Sequence, residues 1–371
     1  MNSYFDHNAT TPLLPVAREA LLKACDQHWH NASGLYREGA MVRRRLDEAR
    51  ERLGELLGCE TERIVFTSSA TESNNSLFYS LARRVGDDAY VLSSEIEHPC
   101  VREPLRHWFG KRVAYLPTNK SGVCDLSMLP EMVDARSPAL ITIMAANNEC
   151  GTLQPWREAL AVCRLRGVPF HTDAAQWIGK LPTHELGACD YVTGSGHKFG
   201  GPKGVGFLIM RDEKEALYFL QGGPQEEGRR AGTENYPAVE AMVTALEWLT
   251  PRLPEVAAMQ KTNCLRFIEA LRKLFSQVRI IGEGAECLWN TVMFVVPHGD
   301  NRKWLARLSQ AGFAVSTGSA CSVLKDGSSV VLGALGASVE EMQRVIRVSG
   351  GWETTAADWE ALAEALANVK I

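Results

Sequence analysis

A lysine within a glycine-rich segment is the first residue of this sequence that could do chemistry. Lys198 lies in the run Ser195-Gly196-His197-Lys198-Phe199-Gly200-Gly201-Pro202-Lys203-Gly204. A lysine that forms a Schiff base must be held on a constrained loop and must lose its proton readily, and glycines let the backbone approach a ligand closely. The alternative is a solvated turn with a surface lysine, which this segment alone favours, because clusters of glycine and lysine are common.

An aspartate follows a short apolar strand about 25 residues before this lysine. Asp173 lies in the segment His171-Thr172-Asp173-Ala174-Ala175-Gln176. Open α/β sheets bind ligands at the carboxyl ends of their strands, and pyridoxal chemistry needs an acid beside the pyridine nitrogen. The alternative is an N-cap for a following helix, a position that Asp suits. Taken together, Lys198 and Asp173 fit a cofactor site as well as they fit purely structural roles.

A segment of small and hydroxyl residues forms a third candidate. Residues 66–75 read Phe-Thr-Ser-Ser-Ala-Thr-Glu-Ser-Asn-Asn, with Ala70 and Thr71 where a strand is expected to lead into a helix. Backbone N–H groups at a helix N-terminus form a natural phosphate site. The alternative is an ordinary Ser or Thr helix cap.

The composition is that of a globular protein and excludes several classes of function. Of 371 residues, 45% are hydrophobic and 23% are charged, and the length predicts two domains. A net charge of −4 provides no broad basic surface, so neither nucleic acid nor a membrane is an expected partner. The ten cysteines have the spacing of neither a disulfide framework nor a metal site, so no metal is expected. The N-terminus lacks a secretory pattern, and a cytoplasmic location is expected.

The pattern of apolar runs predicts an α/β fold in the first two-thirds of the chain. Runs typical of strands lie at residues 63–66, 89–92, 113–116, 139–143, 169–172 and 205–210. Helical patterns lie between several of them, at residues 72–84, 100–109 and 156–166. The strands show little alternation, as expected of a mainly parallel sheet covered by helices on both faces.

A smaller α+β domain is predicted after a long helical stretch that runs from residue 234 to about residue 275. Pro251 and Pro254 interrupt this stretch and mark a hinge, because proline ends or kinks a helix. Strand-like runs at residues 278–281 and 291–296 follow, and a last amphipathic helix begins near Thr355.

Eight motifs in a fixed order connect these observations. They are Asp6-His7-Asn8-Ala9-Thr10-Thr11, Ala70-Thr71-Glu72, Glu97-His98-Pro99, Asn147-Asn148-Glu149, Asp173-Ala174-Ala175-Gln176, Gly196-His197-Lys198, Gly228-Arg229-Arg230-Ala231-Gly232-Thr233-Glu234-Asn235 and Val315-Ser316-Thr317-Gly318-Ser319-Ala320-Cys321. This succession resembles the cysteine desulfurases of iron–sulfur cluster assembly, a branch of the class V aminotransferase family. The resemblance implies an aspartate-aminotransferase-like fold that binds pyridoxal 5'-phosphate. It also implies a large domain at residues 12–250 and a small domain formed by residues 1–11 and 251–371.

The resemblance implies a role for each matching residue of the cofactor site. Lys198 would be the Schiff-base lysine, Asp173 the partner of the pyridine nitrogen, and Gln176 a donor to the phenolic oxygen. His98 would stack on the ring, in preference to a satisfied core histidine, and Asn148 would lie beside the phenolic oxygen and the substrate carboxylate. The phosphate would be held by Ala70, Thr71, Ser195 and His197, with Thr233 reaching it from a neighbouring subunit, which implies a homodimer.

Cys321 is the expected sulfur acceptor. It lies among Ser316, Thr317, Gly318, Ser319 and Ser322, a composition typical of a polar loop on which a thiolate is accessible. The resemblance implies that L-cysteine is converted to L-alanine while a persulfide forms on Cys321, for transfer to a sulfur-acceptor protein. His98 is the candidate for shuttling the proton. The alternative is a surface cysteine without a catalytic role.

One position departs from the family pattern. The family has Arg-Phe-Ser-Leu-Gly-Arg followed by Phe-Thr-Thr, and its last arginine binds the substrate carboxylate, whereas this sequence has Trp352 there. Tryptophan cannot form the bidentate pair that a carboxylate favours. Either Arg37 or Arg230 takes over this contact, or the enzyme is a divergent sulfur lyase or aminotransferase-like enzyme whose substrate is not free L-cysteine.

Overall fold

Seven strands form the central sheet of the computed structural model, which describes residues 3–318 and 329–369. In chain order, the strands of these residues are β1 (Ser3–Tyr4), β2 (Ile64–Thr67), β3 (Val91–Ser94), β4 (Val113–Leu116), β5 (Leu140–Thr142), β6 (Phe170–Asp173), β7 (Tyr191–Ser195), β8 (Gly206–Ile209), β9 (Arg279–Ile281), β10 (Thr291–Val295), β11 (Phe313–Ala314) and β12 (Val345–Ser349). The helices are α1 (Pro15–Gln27), α2 (Arg37–Leu57), α3 (Ala70–Arg84), α4 (Pro99–Phe109), α5 (Leu129–Ala135), α6 (Trp156–Arg166), α7 (Tyr236–Leu249), α8 (Leu253–Leu274), α9 (Asn301–Gln310), α10 (Val330–Ala334), α11 (Val339–Met342) and α12 (Ala356–Asn368).

The central sheet is mainly parallel, as predicted. Its strand order is β2-β8-β7-β6-β5-β3-β4, in which β8 is antiparallel to both of its neighbours and the strands from β7 to β4 are parallel. Successive residues enter different apolar clusters: Val91 packs in one cluster and Leu92 in the other. Both faces are therefore covered, which explains why the strands lack alternation.

Strand β7 was not predicted, although it lies in the middle of the sheet. Its sequence, Tyr191 to Ser195, includes Thr193, Gly194 and Ser195. These polar or small residues interrupt the apolar pattern from which a buried strand is predicted. Thr193 is tolerated there because its hydroxyl donates to Asn74 Oδ1 at 2.9 Å. The register of β6 and β7 pairs Asp173 with Thr193, so the carboxyl ends of these strands lie side by side.

A second, antiparallel sheet has the order β12-β10-β9 and packs against helices α8, α9 and α12. Strand β12 was also missed by the sequence analysis, because Arg347 interrupts its apolar pattern. The N-terminal segment joins these C-terminal elements: β1 pairs with β11, and Asp6 forms a bridge with Ser349. The proposed domain boundaries stay a prediction.

The prolines near residue 250 behave largely as the sequence predicts. Helix α7 ends at Leu249, a short 3-10 turn spans Thr250–Arg252, and α8 begins at Leu253. Pro254 lies in the first turn of α8, where a missing N–H costs nothing, so it does not break that helix. In α2, Arg44 is exposed and pairs with Glu48 at 2.9 Å. Across residues 3–318 and 329–369, every helix is too short or too polar to span a membrane.

Candidate active site

Lys198 lies on a short 3-10 turn directly after β7. Its amine donates to the backbone carbonyls of Asn8 and Ala9, each at 2.8 Å, so the N-terminal segment closes over the lysine. Gly200 has a φ of 82°, and a Cβ there would lie 2.5 Å from the Leu14 side chain, so the turn requires glycine. The lysine is thus held in place, and the alternative of a solvated surface turn is wrong.

The surroundings of Lys198 favour its neutral form. Burial and the nearby positive charge of Arg347 lower the pKa of the amine to about 8, although Asp173 and Asp6 act in the opposite direction. An amine with this pKa can act as a nucleophile or a base near neutral pH. The site therefore has the property that Schiff-base chemistry asks of its lysine.

Asp173 is buried at the end of β6 and accepts hydrogen bonds at both carboxylate oxygens. Asn74, from the first turns of α3, donates its side-chain amide to Oδ2 at 3.0 Å, and the backbone N–H of Ala175 donates to Oδ1 at 3.0 Å. Turns follow Asp173 where the N-cap alternative needs a helix, so that alternative is wrong. Asn74 was missed by the sequence analysis, since an amide within a helix carries no signal of its distant partner.

His98 forms the N-cap of α4 and lies against a second residue that was not predicted, Cys100. The ring Nδ1 accepts the backbone N–H of Cys100 at 3.2 Å and lies 2.9 Å from the Cys100 sulfur. Burial, together with Lys198 and Arg102, lowers the pKa of His98, while Asp173 opposes this shift. The surroundings of His98 therefore favour its neutral imidazole form.

Gln176 connects the lysine segment to another buried lysine. Its side-chain amide donates to the Asn8 carbonyl at 2.8 Å, and its Oε1 accepts from Lys180 Nζ at 2.9 Å. Burial and the charges of Lys198 and Arg347 lower the pKa of Lys180 to about 7. Lys180 was missed by the sequence analysis, although its place in the apolar run Trp-Ile-Gly-Lys-Leu was a usable signal.

The N-terminus of α3 combines both roles considered for it. Ser69 caps the helix by accepting from the N–H of Glu72, and the first-turn amides that include Ala70 and Thr71 have no intrahelical acceptor. Thr71 is exposed and Ala70 is buried. Arg230 donates to both Glu72 oxygens, at 2.8 and 3.2 Å.

Ser195 and His197 are the other two phosphate residues predicted within one chain. Ser195 is buried at the end of β7. His197 Nδ1 lies 3.1 Å from the Thr10 hydroxyl. Burial and the charges of Lys198, Lys203 and Lys180 lower the pKa of His197 to about 4, so the ring is neutral.

Arg347 links three segments and was also missed by the sequence analysis. Its guanidinium pairs with Asp6 Oδ1 at 2.6 Å and donates to the backbone carbonyls of Asn148 at 2.7 Å and Gly318 at 3.4 Å. Asn148 also accepts at this carbonyl from the Asn8 side chain, at 3.3 Å. The arginine is buried, and within the described part of the chain its Nε has no hydrogen-bond partner.

The remaining predicted residues are less closely tied to this cluster. Arg37, the first residue of α2, and Thr233 are exposed. Trp352 is half-buried and lines a cleft of about 510 Å³ with His7 and Leu14. Cys321 lies outside the described residues. On the two sides of its segment, Gly318 contacts Arg347 and the Ser329 hydroxyl donates to Glu149 Oε2 at 3.0 Å.

Comparison with known proteins identifies the family. The sequence profile of the aminotransferase class-V family matches residues 3–362. The chain is 34% identical to "cysteine desulfurase IscS" of Dictyoglomus turgidum over 362 residues, which are 96% of this chain and 91% of that protein. The chain belongs to the cysteine desulfurase branch of this family. It is also 33% identical to the IscS-like cysteine desulfurase of Mycobacterium tuberculosis, over 98% of this chain and 95% of that one.

Two similar solved structures have the same fold. A NifS-like protein superposes with a TM-score of 0.91 at 30% identity, covering 99% of this chain and 98% of that one. The structure of SspA in complex with cysteine gives a TM-score of 0.81 at 30% identity, covering 94% of this chain and 98% of that one. The predicted fold class is thereby confirmed, and the family implies pyridoxal phosphate as cofactor.

Proposed function

We propose that this protein is a pyridoxal-phosphate-dependent cysteine desulfurase, which converts L-cysteine to L-alanine and receives the sulfur on Cys321. The observation that carries the proposal is that a lysine amine whose pKa is about 8 and a buried aspartate lie at the adjacent carboxyl ends of β7 and β6. The curated relatives named cysteine desulfurase support the reaction, and SspA, solved with cysteine, supports an amino-acid substrate.

The residues present suit the functional groups of pyridoxal phosphate. Lys198 offers an amine to the aldehyde, and Asp173 offers a buried carboxylate to the pyridine nitrogen. The α3 N-terminus with Thr71, Ser195 and His197 offers donors to the phosphate. When bound, the cofactor supplies a ring that withdraws electrons from the substrate α-carbon.

The chain's own residues then position the substrate and move its protons. Lys198, whose pKa of about 8 leaves part of the amine neutral at physiological pH, removes the proton from the substrate α-carbon. His98 would lie against the bound ring and would carry a proton to and from the sulfur. Gln176 would donate to the phenolic oxygen, and Asn148 would lie beside that oxygen and the substrate carboxylate.

Sulfur transfer requires Cys321 as a thiolate. The thiolate attacks the substrate sulfur, an S–S bond forms, and the bond from that sulfur to the substrate β-carbon breaks. That carbon then takes up a proton, so L-cysteine and the Cys321 thiol become L-alanine and a Cys321 persulfide without an external oxidant or reductant. The persulfide is then available to a sulfur-acceptor protein.

Trp352 supports a second candidate. If no arginine replaces the carboxylate contact of the family, the substrate is not free L-cysteine, and the protein is a divergent sulfur lyase or an aminotransferase-like enzyme. Arg230 is already bound to Glu72 through both oxygens, which weakens its candidacy as the replacement. Arg37, which is exposed, stays the other candidate.

A homodimer would complete the site, since Thr233 is expected to reach the phosphate of the neighbouring subunit. The chain exposes a group of large apolar side chains near the start of α2, at Trp29, Leu35, Tyr36 and Met41. Apolar residues grouped in this way commonly mark an interface.

A cytoplasmic location stays a prediction.

The test is incubation of the purified protein with L-cysteine and pyridoxal phosphate, with alanine and protein persulfide as the measured products. The Cys321→Ser variant should bind the cofactor and lose sulfur release, whereas Cys25→Ser, at an exposed cysteine of α1, should behave as the wild type. Alanine and persulfide in equal amounts support the proposal. Full sulfide release by Cys321→Ser would exclude the acceptor role and favour the lyase.

A further inference from the structure

Cys100 occupies a position between two residues of the cofactor site. It lies buried in the first turn of α4, with its sulfur 2.9 Å from His98 Nδ1 and 3.5 Å from Asp173 Oδ2. The Asn74 amide donates to this sulfur at 3.2 Å. One thiol therefore contacts both the histidine that we expect to stack on the cofactor and the aspartate that we expect at its pyridine nitrogen.

The directions of these hydrogen bonds define the protonation of His98. The backbone N–H of Cys100 can only donate, so His98 Nδ1 must accept it at 3.2 Å. Because Asn74 donates to the sulfur, the S–H hydrogen is free to donate, and His98 Nδ1 at 2.9 Å is a nearer acceptor than Asp173 Oδ2 at 3.5 Å. A neutral imidazole that accepts at Nδ1 carries its hydrogen on Nε2.

Burial favours the neutral form of both the His98 ring and the Cys100 thiol. Burial and the negative charge of Asp173 raise the pKa of the Cys100 thiol well above its ordinary value, so it stays a donor and does not act as a nucleophile. The groups that face His98 are Asp173, which raises its pKa, and Lys198 and Arg102, which lower it together with burial. Cys100 is therefore a neutral thiol, whereas the expected sulfur acceptor, Cys321, must react as a thiolate.

We propose that Cys100 is a positioning residue that holds His98 as the Nε2–H tautomer and so directs the proton-carrying nitrogen away from the α4 cap. The hydroxyl of serine could keep this contact, whereas alanine could not. The use of that proton in turnover rests on the proposed function, but the tautomer does not. The two can therefore fail separately.

The test is nitrogen NMR of the holoenzyme labelled with ¹⁵N-histidine, with His98→Gln to assign the signal. In the wild type and in Cys100→Ser, the shifts should identify Nδ1 as the unprotonated nitrogen at pH 7. Cys100→Ala keeps the backbone N–H donor to Nδ1 but loses the S–H donor, so the apparent pKa of His98 should rise and the preference for the Nε2–H tautomer should weaken without being lost. The matched control is Cys163→Ala, at a buried cysteine of α6, which should leave the His98 signal unchanged.

Turnover of L-cysteine provides a second readout. For Cys100→Ala we expect kcat to fall about fivefold, as for the loss of one hydrogen bond of about 1 kcal/mol, with KM unchanged and recovery in Cys100→Ser. A wild-type His98 with its hydrogen on Nδ1, or an unchanged His98 signal in Cys100→Ala, would overturn the proposal. A wild type that carries the Nε2–H tautomer, with the expected response to alanine, but does not turn over L-cysteine would support the positioning role and reject the desulfurase.

Discussion

The indole ring of Trp352 packs edge to face against the imidazole of His7, with centroids 6.1 Å apart and an angle of 77° between the planes. His7 is buried, which lowers the pKa of its ring to about 4, so the indole packs against a neutral partner. Trp352 also approaches the lysine loop: a Cβ built on Gly200 would lie 3.2 Å from its ring. The residue that departs from the family pattern is therefore close to the turn that carries Lys198.

An arginine in place of Trp352 should strengthen the binding of L-cysteine. The guanidinium would offer two parallel charge-assisted hydrogen bonds to the substrate carboxylate. We expect Trp352→Arg to lower KM for L-cysteine by about tenfold, which corresponds to about 1.4 kcal/mol. The measurement is kcat and KM for L-cysteine in both proteins. Trp352→Phe, which keeps an aromatic ring without a charge, should not lower KM. A wild type with a low KM that arginine does not improve would show that another residue binds the carboxylate.

Removal of Lys198 should abolish both cofactor attachment and turnover. Purified wild-type protein should be yellow, and borohydride reduction should fix the cofactor covalently on Lys198. We expect Lys198→Ala to lose this attachment and all activity, as peptide mass spectrometry and a turnover assay would report. The matched control is Lys203→Ala, because Lys203 is exposed on the same loop. Cofactor fixed on Lys203 or on Lys180 would contradict the assignment.

Buried Lys180 should make the stability of the protein depend on pH. Its pKa is about 7 in the folded protein, against about 10.4 for an ordinary lysine, so the unfolded chain binds more protons between these values. Stability should therefore rise with pH above about 7, at a slope approaching about 1.4 kcal/mol per pH unit for this group.

The contribution of Lys180 can be isolated by urea unfolding at pH 7 and pH 9. Lys180→Met lacks the titrating amine, so its free energy of unfolding should rise less between the two values than that of the wild type. Exposed Lys203→Met should follow the wild type. An identical rise in all three proteins would mean that the pKa of Lys180 is not lowered in the folded protein.

The Arg347 ion pair should be important for stability. The arginine is buried and pairs with Asp6 at 2.6 Å, so removing it leaves a carboxylate without its partner. We expect Arg347→Met to lower the free energy of unfolding by about 3 kcal/mol. Arg44→Met, which breaks an exposed pair with Glu48, should cost about 0.5 kcal/mol. A cost for Arg347→Met as small as that for Arg44→Met would show that the buried pair contributes little.

The sequence alone determined the family, the fold class and the location of Asp173 and Lys198 close to the ends of strands. These features are encoded in short segments: a glycine-rich turn, a polar residue directly after an apolar strand, and an order of motifs that spans residues 6–321. Local patterns of this kind can be recognised from the sequence because strands, turns and helix caps depend on neighbouring residues. Most predicted strands were therefore found within two residues of their expected positions.

Only the tertiary structure determined how charged and polar groups are satisfied inside the protein. Asp173 accepts from Asn74, 99 positions away, and Arg347 pairs with Asp6 across 341 positions. Strands β7 and β12 were missed because Thr193 and Arg347 break their apolar pattern, and both residues are buried with partners from distant segments. A buried polar group is stable only when it is hydrogen-bonded or paired, and a linear sequence does not state which distant residue will be that partner.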